Sequence, residues 1–219
     1  GGHAGRLGYA AICILAAVLI LFSFRQFALS WMVMAFGLLG LILFGWRRAG
    51  ESNPWPAIGL FYIAAACIAL AVLRGDQAEG RRIILWLFLV VWATDIGAYA
   101  FGRWIGGARL APAISPNKTW AGLVGGAASA GAVAAILLAA TPVERGILAI
   151  VALSIVVAVV SQAGDLFESW YKRRFGVKDS GNLIPGHGGI LDRIDGMLLA
   201  APAAAVVFLL WQGGTAPWK

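Results

Sequence analysis

Charge is what this chain has least of. Only 12% of its residues are Asp, Glu, Lys or Arg, against roughly 25% in a soluble domain, while 61% are hydrophobic and the mean hydropathy is +0.84. A water-soluble fold needs a polar face on most of its helices. The long apolar runs here have none, which excludes a soluble protein and makes lipid the solvent. Acids are scarcer than bases, 10 against 17, yet the bases gather at the ends of apolar runs rather than in a tail or a stripe. That distribution suits membrane orientation and anionic ligands, and argues against a nucleic-acid partner. Cysteine is nearly absent: Cys13 and Cys67 both fall inside apolar runs, so each is expected to be a small buried hydrophobe, and no disulfide framework or zinc site is implied. The sequence also lacks a GxxxxGK[ST] phosphate loop, a Rossmann fingerprint, a GxSxG elbow and an HExxH helix. Any nucleotide must be held by other means. The chain opens on Gly1, Gly2 and His3 instead of Met, which suggests a processed, tagged or truncated start and gives His3 no site role.

A spanning helix needs about 20 mostly apolar residues, and such windows recur about seven times. They lie near Leu7 to Phe24, Phe27 to Trp46, Trp55 to Leu73, Ile83 to Phe101, Thr119 to Ala140, Gly146 to Tyr171 and Ile190 to Trp211. Between the first two only Arg25 and Gln26 intervene, so the turn must use part of each run. The sixth outlasts its apolar stretch, so its last turns should emerge into water. The expected fold is therefore all-α, a polytopic membrane helical bundle of about seven transmembrane helices. Residues 1–82 form the N-terminal membrane helices and residues 83–219 a second group that carries the polar loops.

Alternating the sides of these spans puts about eleven bases on one side and about six on the other. The richer side holds Arg6, Arg47, Arg48, Arg103, Arg109, Lys118, Lys172, Arg173, Arg174, Lys178 and Arg193; the poorer holds Arg25, Arg74, Arg81, Arg82, Arg145 and Lys219. The richer side should be cytoplasmic, in a multi-pass protein of the cell inner membrane. The same alternation brings Asp95, Asp165, Asp192 and Asp195 to that side, which makes the cytoplasmic rim the expected site.

The segment from Ser161 to Gly196 holds most of the charge in the second half of the chain. Asp165 and Glu168 are three residues apart and Asp192 and Asp195 repeat the spacing, so each pair shares a helical face where the helix continues. Paired oxygen ligands of this kind suit Mg2+, which takes one or two carboxylates and completes its shell with water and phosphate. Lys172, Arg173, Arg174 and Lys178 between them can hold phosphate charge. Plainer readings stand beside these. Asp192 and Asp195 also suit a positive helix N-terminus or a structural knot with Arg193, and the basic run also suits a solvated anchor on anionic lipid. Against them, carboxylates at membrane depth are costly and usually functional. The stretch Pro185, Gly186, His187, Gly188 and Gly189 cannot be regular helix; its glycines allow close approach to a ligand, and His187 can donate a hydrogen bond or move a proton. Upstream, in ISPNKTWAG, Ser115 reads as an N-cap and Pro116 as the first helical residue, with Lys118 and Thr119 in the first turn of the fifth span. An ordinary capped helix with a snorkelling lysine fits the same residues. Asp95 has Ala98, Tyr99 and Gly102 on its helical face, so small neighbours leave room beside it; a proton or ion path is the other use of such a residue.

These residues resemble the phosphatidate cytidylyltransferase family. The run from Ser169 to Asp195 fits its outline SxxKRxxxxKDxGxxxPGHGGxxDRxD through Lys172, Arg173, Lys178, Asp179, Gly181, Pro185, Gly186, His187, Gly188, Gly189, Asp192, Arg193 and Asp195. DIGAYAFGR around Asp95, SPNKTWAG around Lys118 and QAGDLFES around Asp165 are similar to the family as well, so the likeness covers about Asp95 to Gly196. Tyr171 stands where the family more often has an aliphatic residue or Phe, and Ala121 where many members have Glu.

The resemblance implies an integral-membrane nucleotidyltransferase that joins CTP to phosphatidic acid, with Mg2+, giving CDP-diacylglycerol and pyrophosphate in phospholipid biosynthesis. It implies Asp165, Asp192 and Asp195 as metal-holding residues that act in catalysis with Lys178 and His187. It implies Asp95, Ser115, Asn117, Lys118, Thr119, Lys172, Arg173, Asp179, Gly188, Gly189 and Arg193 as substrate-binding residues. Membrane lipid is a partner and a homodimer is compatible. The alternatives are a related CTP-dependent membrane enzyme acting on another lipid, such as a polyprenol kinase or ether-lipid cytidylyltransferase, and a transporter, which should show internal repeats with broken helices. No such repeat is present.

Overall fold

The computed structural model describes residues 2–23, 32–41, 43, 55–75, 78–140, 146–181 and 189–211. Apolar sequence long enough to satisfy every backbone group within one segment becomes helix. The helices are α1 (Gly2–Ser23), α2 (Met32–Leu41), α3 (Trp55–Arg74), α4 (Ala78–Trp104), α5 (Trp120–Ala139), α6 (Ile147–Arg174) and α7 (Leu191–Trp211). Stretches of α3 to α7, namely Ala57–Arg74, Glu79–Trp104, Trp120–Ala139, Ile147–Arg174 and Leu191–Leu210, are long and apolar enough to cross a membrane. The protein is a multi-pass membrane protein. Large apolar side chains point outward along it, Leu148 at 82% and Leu210 at 77% exposure, an arrangement that lipid favours and water does not. Cys13, expected to be buried, is exposed on α1, and Cys67 is half-buried. The outer face of a membrane helix is as apolar as its inner face, so hydropathy did not distinguish them.

Two compact units divide the chain, Gly1–Ala71 and Val72–Lys219. In the first, Leu41, Ala57 and Leu60 form a core against which Ala11, Ile14, Leu15 and Leu38 pack. In the second, α5 lies along α4 and α6, and α6 along α7, with further contact of α4 to α6 and α7.

Small residues, not large ones, set these helix crossings, as expected where lipid offers no hydrophobic drive for association. A Cβ at Gly122 would fall 2.8 Å from the carbonyl oxygen of Ala98, and one at Gly126 would fall 2.7 Å from Gln162 Nε2 and 2.8 Å from the Thr94 carbonyl oxygen. Gly102 likewise faces Thr119 and Gly122. The small residues read as room beside Asp95 thus let α5 approach α4. A directed bond runs from α4 to α6: Trp86 Nε1 donates to Ser154 Oγ at 2.9 Å, worth about 0.6 kcal/mol in a membrane bundle.

The bundle is mostly helical, as expected, and carries a short hairpin. Arg109–Ala111 (β1) and Ser115–Thr119 (β2) pair antiparallel, with Arg109 opposite Thr119 and Ala111 opposite Ser115 and an irregularity between. Ser115 is therefore not the N-cap of the fifth span, nor are Lys118 and Thr119 in its first turn. Pro116 disfavours helical backbone in the residue before it, and the cap passes to Thr119, extended at φ −122 and ψ 157, whose Oγ1 accepts from Gly122 N at 3.1 Å. Trp120 N donates to Ala108 O at 3.0 Å and closes the base of the hairpin.

Candidate active site

Five acids and two lysines meet where α4, α6, α7 and the hairpin come together. α6 is helical through Arg174, so Asp165 and Glu168 stand on neighbouring positions of one face, with Lys172 a turn beyond Glu168. The hairpin places Lys118 beside α6: its Nζ lies 2.5 Å from Asp165 Oδ2 and 3.4 Å from the Gln162 carbonyl oxygen. Had Lys118 been one turn into a helix, as the sequence suggested, this reach from strand to helix would not have been built. Asp165 Oδ1 also faces Ser169 Oγ at 3.4 Å, a weak contact.

The second lysine bridges two helices. Lys172 Nζ sits 2.6 Å from Glu168 Oε2 and 2.6 Å from Asp192 Oδ1, which belongs to the first turn of α7. Asp192 then collects backbone donors from Ser180 and Gly189. Ser180 N reaches Oδ2 at 2.8 Å and Oδ1 at 3.2 Å, Ser180 Oγ reaches Oδ2 at 2.8 Å, and Gly189 N reaches Oδ2 at 2.7 Å. One carboxylate thus holds Ser180 and Gly189 together. Gly189 is required at this closure: a Cβ there would meet Ser180 Oγ and lie 2.9 Å from Gly181 N. Oδ2 of Asp192 is saturated, and Oδ1 is the less occupied oxygen.

Asp195, one turn further along α7, accepts from Gly196 N at 2.7 Å. Its carboxylate lies within electrostatic range of Asp165, Glu168 and Asp95, and Asp95 within range of Asp165 and Lys118. Close approach of α6 and α7 makes this possible, since a Cβ at Gly164 would sit 3.1 Å from the Asp195 carbonyl oxygen. Asp95 itself is exposed. Like charges at this range repel, so the cluster favours a cation or the donors of a polar ligand. Among the described residues no group of three or more His, Cys, Asp or Glu side chains is placed to hold a metal ion as it stands.

This arrangement of carboxylates and lysines around a helix rim coincides with a sequence match. Residues 3–211 match the model of the cytidylyltransferase family. The chain belongs to the cytidylyltransferase family. Its relatives include the phosphatidate cytidylyltransferase of Brucella suis biovar 1, 45% identical over 194 residues that cover 89% of this chain and 70% of that protein. The protein of the same name from Brucella melitensis biotype 1 is 44% identical over the same length and shares. The one from Staphylococcus saprophyticus is 38% identical over 182 residues, 83% of this chain and 67% of that protein.

For a cytidylyltransferase, the remaining residues read from the sequence distribute as follows. Arg173, Lys178, Asp179 and Arg193 are exposed beyond the cluster, with Arg173 Nη1 donating to the Val177 carbonyl oxygen at 3.3 Å. Ser115 is half-buried and Asn117 exposed on β2. Thr119 is engaged as a helix cap. Pro185, Gly186, His187 and Gly188 lie outside the described residues. Sequence reasoning missed Ser180, which stands at a variable place of the family outline, and gave Gln162 no role. Gln162 is buried, its amide donating to Leu123 O at 3.4 Å while its backbone carbonyl receives Lys118. A polar residue inside an apolar run was the available signal.

Proposed function

We propose that this chain makes CDP-diacylglycerol and pyrophosphate from CTP and phosphatidic acid at the cytoplasmic face of the cell inner membrane. The observation that carries the reading is the acid cluster of Asp95, Asp165, Asp192 and Asp195 with Lys118 on Asp165, in a chain whose relatives bear the corresponding name. A phosphate oxygen of phosphatidic acid attacks the α-phosphorus of CTP in line. The new P–O bond forms as the bond to the β-phosphate breaks, and pyrophosphate leaves with that electron pair. A phosphate nucleophile needs little help from a base, so the protein chiefly positions two anions and offsets their charge.

Hard oxygen donors are the chemistry Mg2+ selects, and Asp165, Asp192 and Asp195 carry them, so these three would hold it once drawn together around the ion. When bound, Mg2+ neutralises triphosphate charge. Lys118 then has two uses, orienting Asp165 and meeting a phosphate from the hairpin side, while Arg173 and Lys178 lie on the water side of the rim to receive the rest of the triphosphate. The same reading allows about seven spans and pairing of two copies in the membrane.

Purified protein in detergent, given phosphatidic acid, CTP and Mg2+, is expected to release pyrophosphate, with EDTA stopping the reaction and ATP substituting poorly. Equal turnover with ATP, or none with any phosphatidic acid, would replace this reading by another nucleotide or lipid acceptor.

Orientation is tested separately. In a background with Cys13 and Cys67 replaced by alanine, cysteines placed at the exposed positions Ala108 and Val177 should react with an impermeant thiol reagent in inverted vesicles only. Reaction in intact spheroplasts would reverse the topology.

A further inference from the structure

Glu168 is the most deeply buried acid among the described residues, at 5% exposure, and neither of its carboxylate oxygens has a directed hydrogen bond. Among the described residues its counter-charge is Lys172, whose Nζ lies 2.6 Å from Oε2. A carboxylate taken out of water with so little solvation is costly, and is tolerated where a partner charge is fixed beside it. Lys172 is in turn fixed by its bond to Asp192, and Asp192 by Ser180 and Gly189. The contacts run in one direction, from the interior of α6 through an ammonium to α7 and the closure of the loop.

We propose that Glu168 is a positioning residue: it anchors Lys172, which aims the Asp192 carboxylate and so holds Ser180 and Gly189 together. Lys172 is a strut between helices, with its charge directed inward, rather than a phosphate contact. A second-sphere partner that orients a ligating carboxylate commonly affects metal affinity by about tenfold or more. This inference rests on the proposed use of Asp192 with Mg2+ for its kinetic arm, but not for its structural arm.

The test compares the parent, Glu168→Gln, Lys172→Met and the double variant, all as full chain in detergent. Gln keeps the shape of Glu while removing the charge, and the double variant removes both charges together, so no buried charge is left alone. In Glu168→Gln, amide hydrogen exchange at Ser180 and Gly189 should rise about tenfold while amides of the α6 and α7 interior, such as Val157 and Leu198, exchange as in the parent. The Mg2+ concentration giving half-maximal pyrophosphate release should rise about tenfold, with activity recovered at high Mg2+. The double variant should be no more than about twofold worse than Lys172→Met. Parental protection at Ser180 and Gly189 would overturn the proposal, as would losses that multiply in the double variant, the result expected if Lys172 met a substrate phosphate independently. If the parent itself fails to turn over CTP, the proposed activity fails, and the exchange arm still decides the strut.

Discussion

Asp165→Asn is expected to lower pyrophosphate release from CTP and phosphatidic acid by roughly a hundredfold or more, a loss of about 3 kcal/mol in transition-state stabilisation. Asp165 is where the hairpin and α6 meet chemically, with Oδ2 at 2.5 Å from Lys118 Nζ and Oδ1 only weakly engaged by Ser169. Asn keeps the size and one oxygen but loses the charge that pairs with Lys118 and that would hold Mg2+ in the proposed reaction. Lys118 would be left with the Gln162 carbonyl at 3.4 Å. The fold should not follow the activity down. Both side chains of the pair are partly open to solvent, at 20% and 29%, so the pair adds little to stability and its loss leaves a charge that water can still reach. Melting in detergent should therefore stay near the parent's. Near-parental turnover at every Mg2+ concentration would remove Asp165 from the metal-holding set and leave the lysines and arginines to carry the triphosphate alone.

How far the sequence predicts this site depends on which physical signal each residue leaves. Span ends are legible because hydropathy falls sharply where helices leave the bilayer: Trp55 to Leu73 was expected and Trp55–Arg74 is observed, Ile190 to Trp211 expected and Leu191–Trp211 observed. The hairpin was not legible. Three and five residues of strand are too short for a period-two pattern, and Ser-Pro before an apolar run reads as a helix start as readily as a strand. Lys118 was singled out as an anion-binding group, but its pairing with Asp165 depends on the extended backbone that the helix reading denied. Lys172 shows a different limit. A base in a basic run looks like a phosphate ligand, and only the packing of α6 on α7 reveals that acids on both helices already surround it. Asp192 was read both as a metal ligand and as a residue favouring a helix N-terminus. The structure joins it to Ser180 and Gly189, 12 and 3 positions earlier, bonds that no local pattern announces.

Asp192→Asn should cost at least as much activity as Asp165→Asn, roughly a hundredfold or more, and should differ from it in what else it changes. The carboxylate accepts from two backbone amides, a hydroxyl and an ammonium, and a charge-assisted bond of this kind contributes about 1.5–3 kcal/mol. Asn has one acceptor oxygen and a donor amide. Turned toward the loop, its oxygen can serve Ser180 or Gly189, but its NH2 then faces Lys172, a donor opposed to a donor; turned the other way, it faces the amides instead. No rotamer satisfies both sides. The loop closure at Ser180 and Gly189 should loosen, so limited proteolysis of Asp192→Asn should cut between α6 and α7 faster than in the parent or in Asp165→Asn. The membrane interior should be untouched, because Val157, Ala158, Leu198 and Ala201 pack away from the rim and are fully or almost fully buried. Activity lost with unchanged proteolysis would mean that Asp192 acts on ligand alone and that the closure stands without it. Parental activity with a loosened loop would mean that the closure is not needed for turnover, and the assignment of Asp192 to the reaction would be wrong.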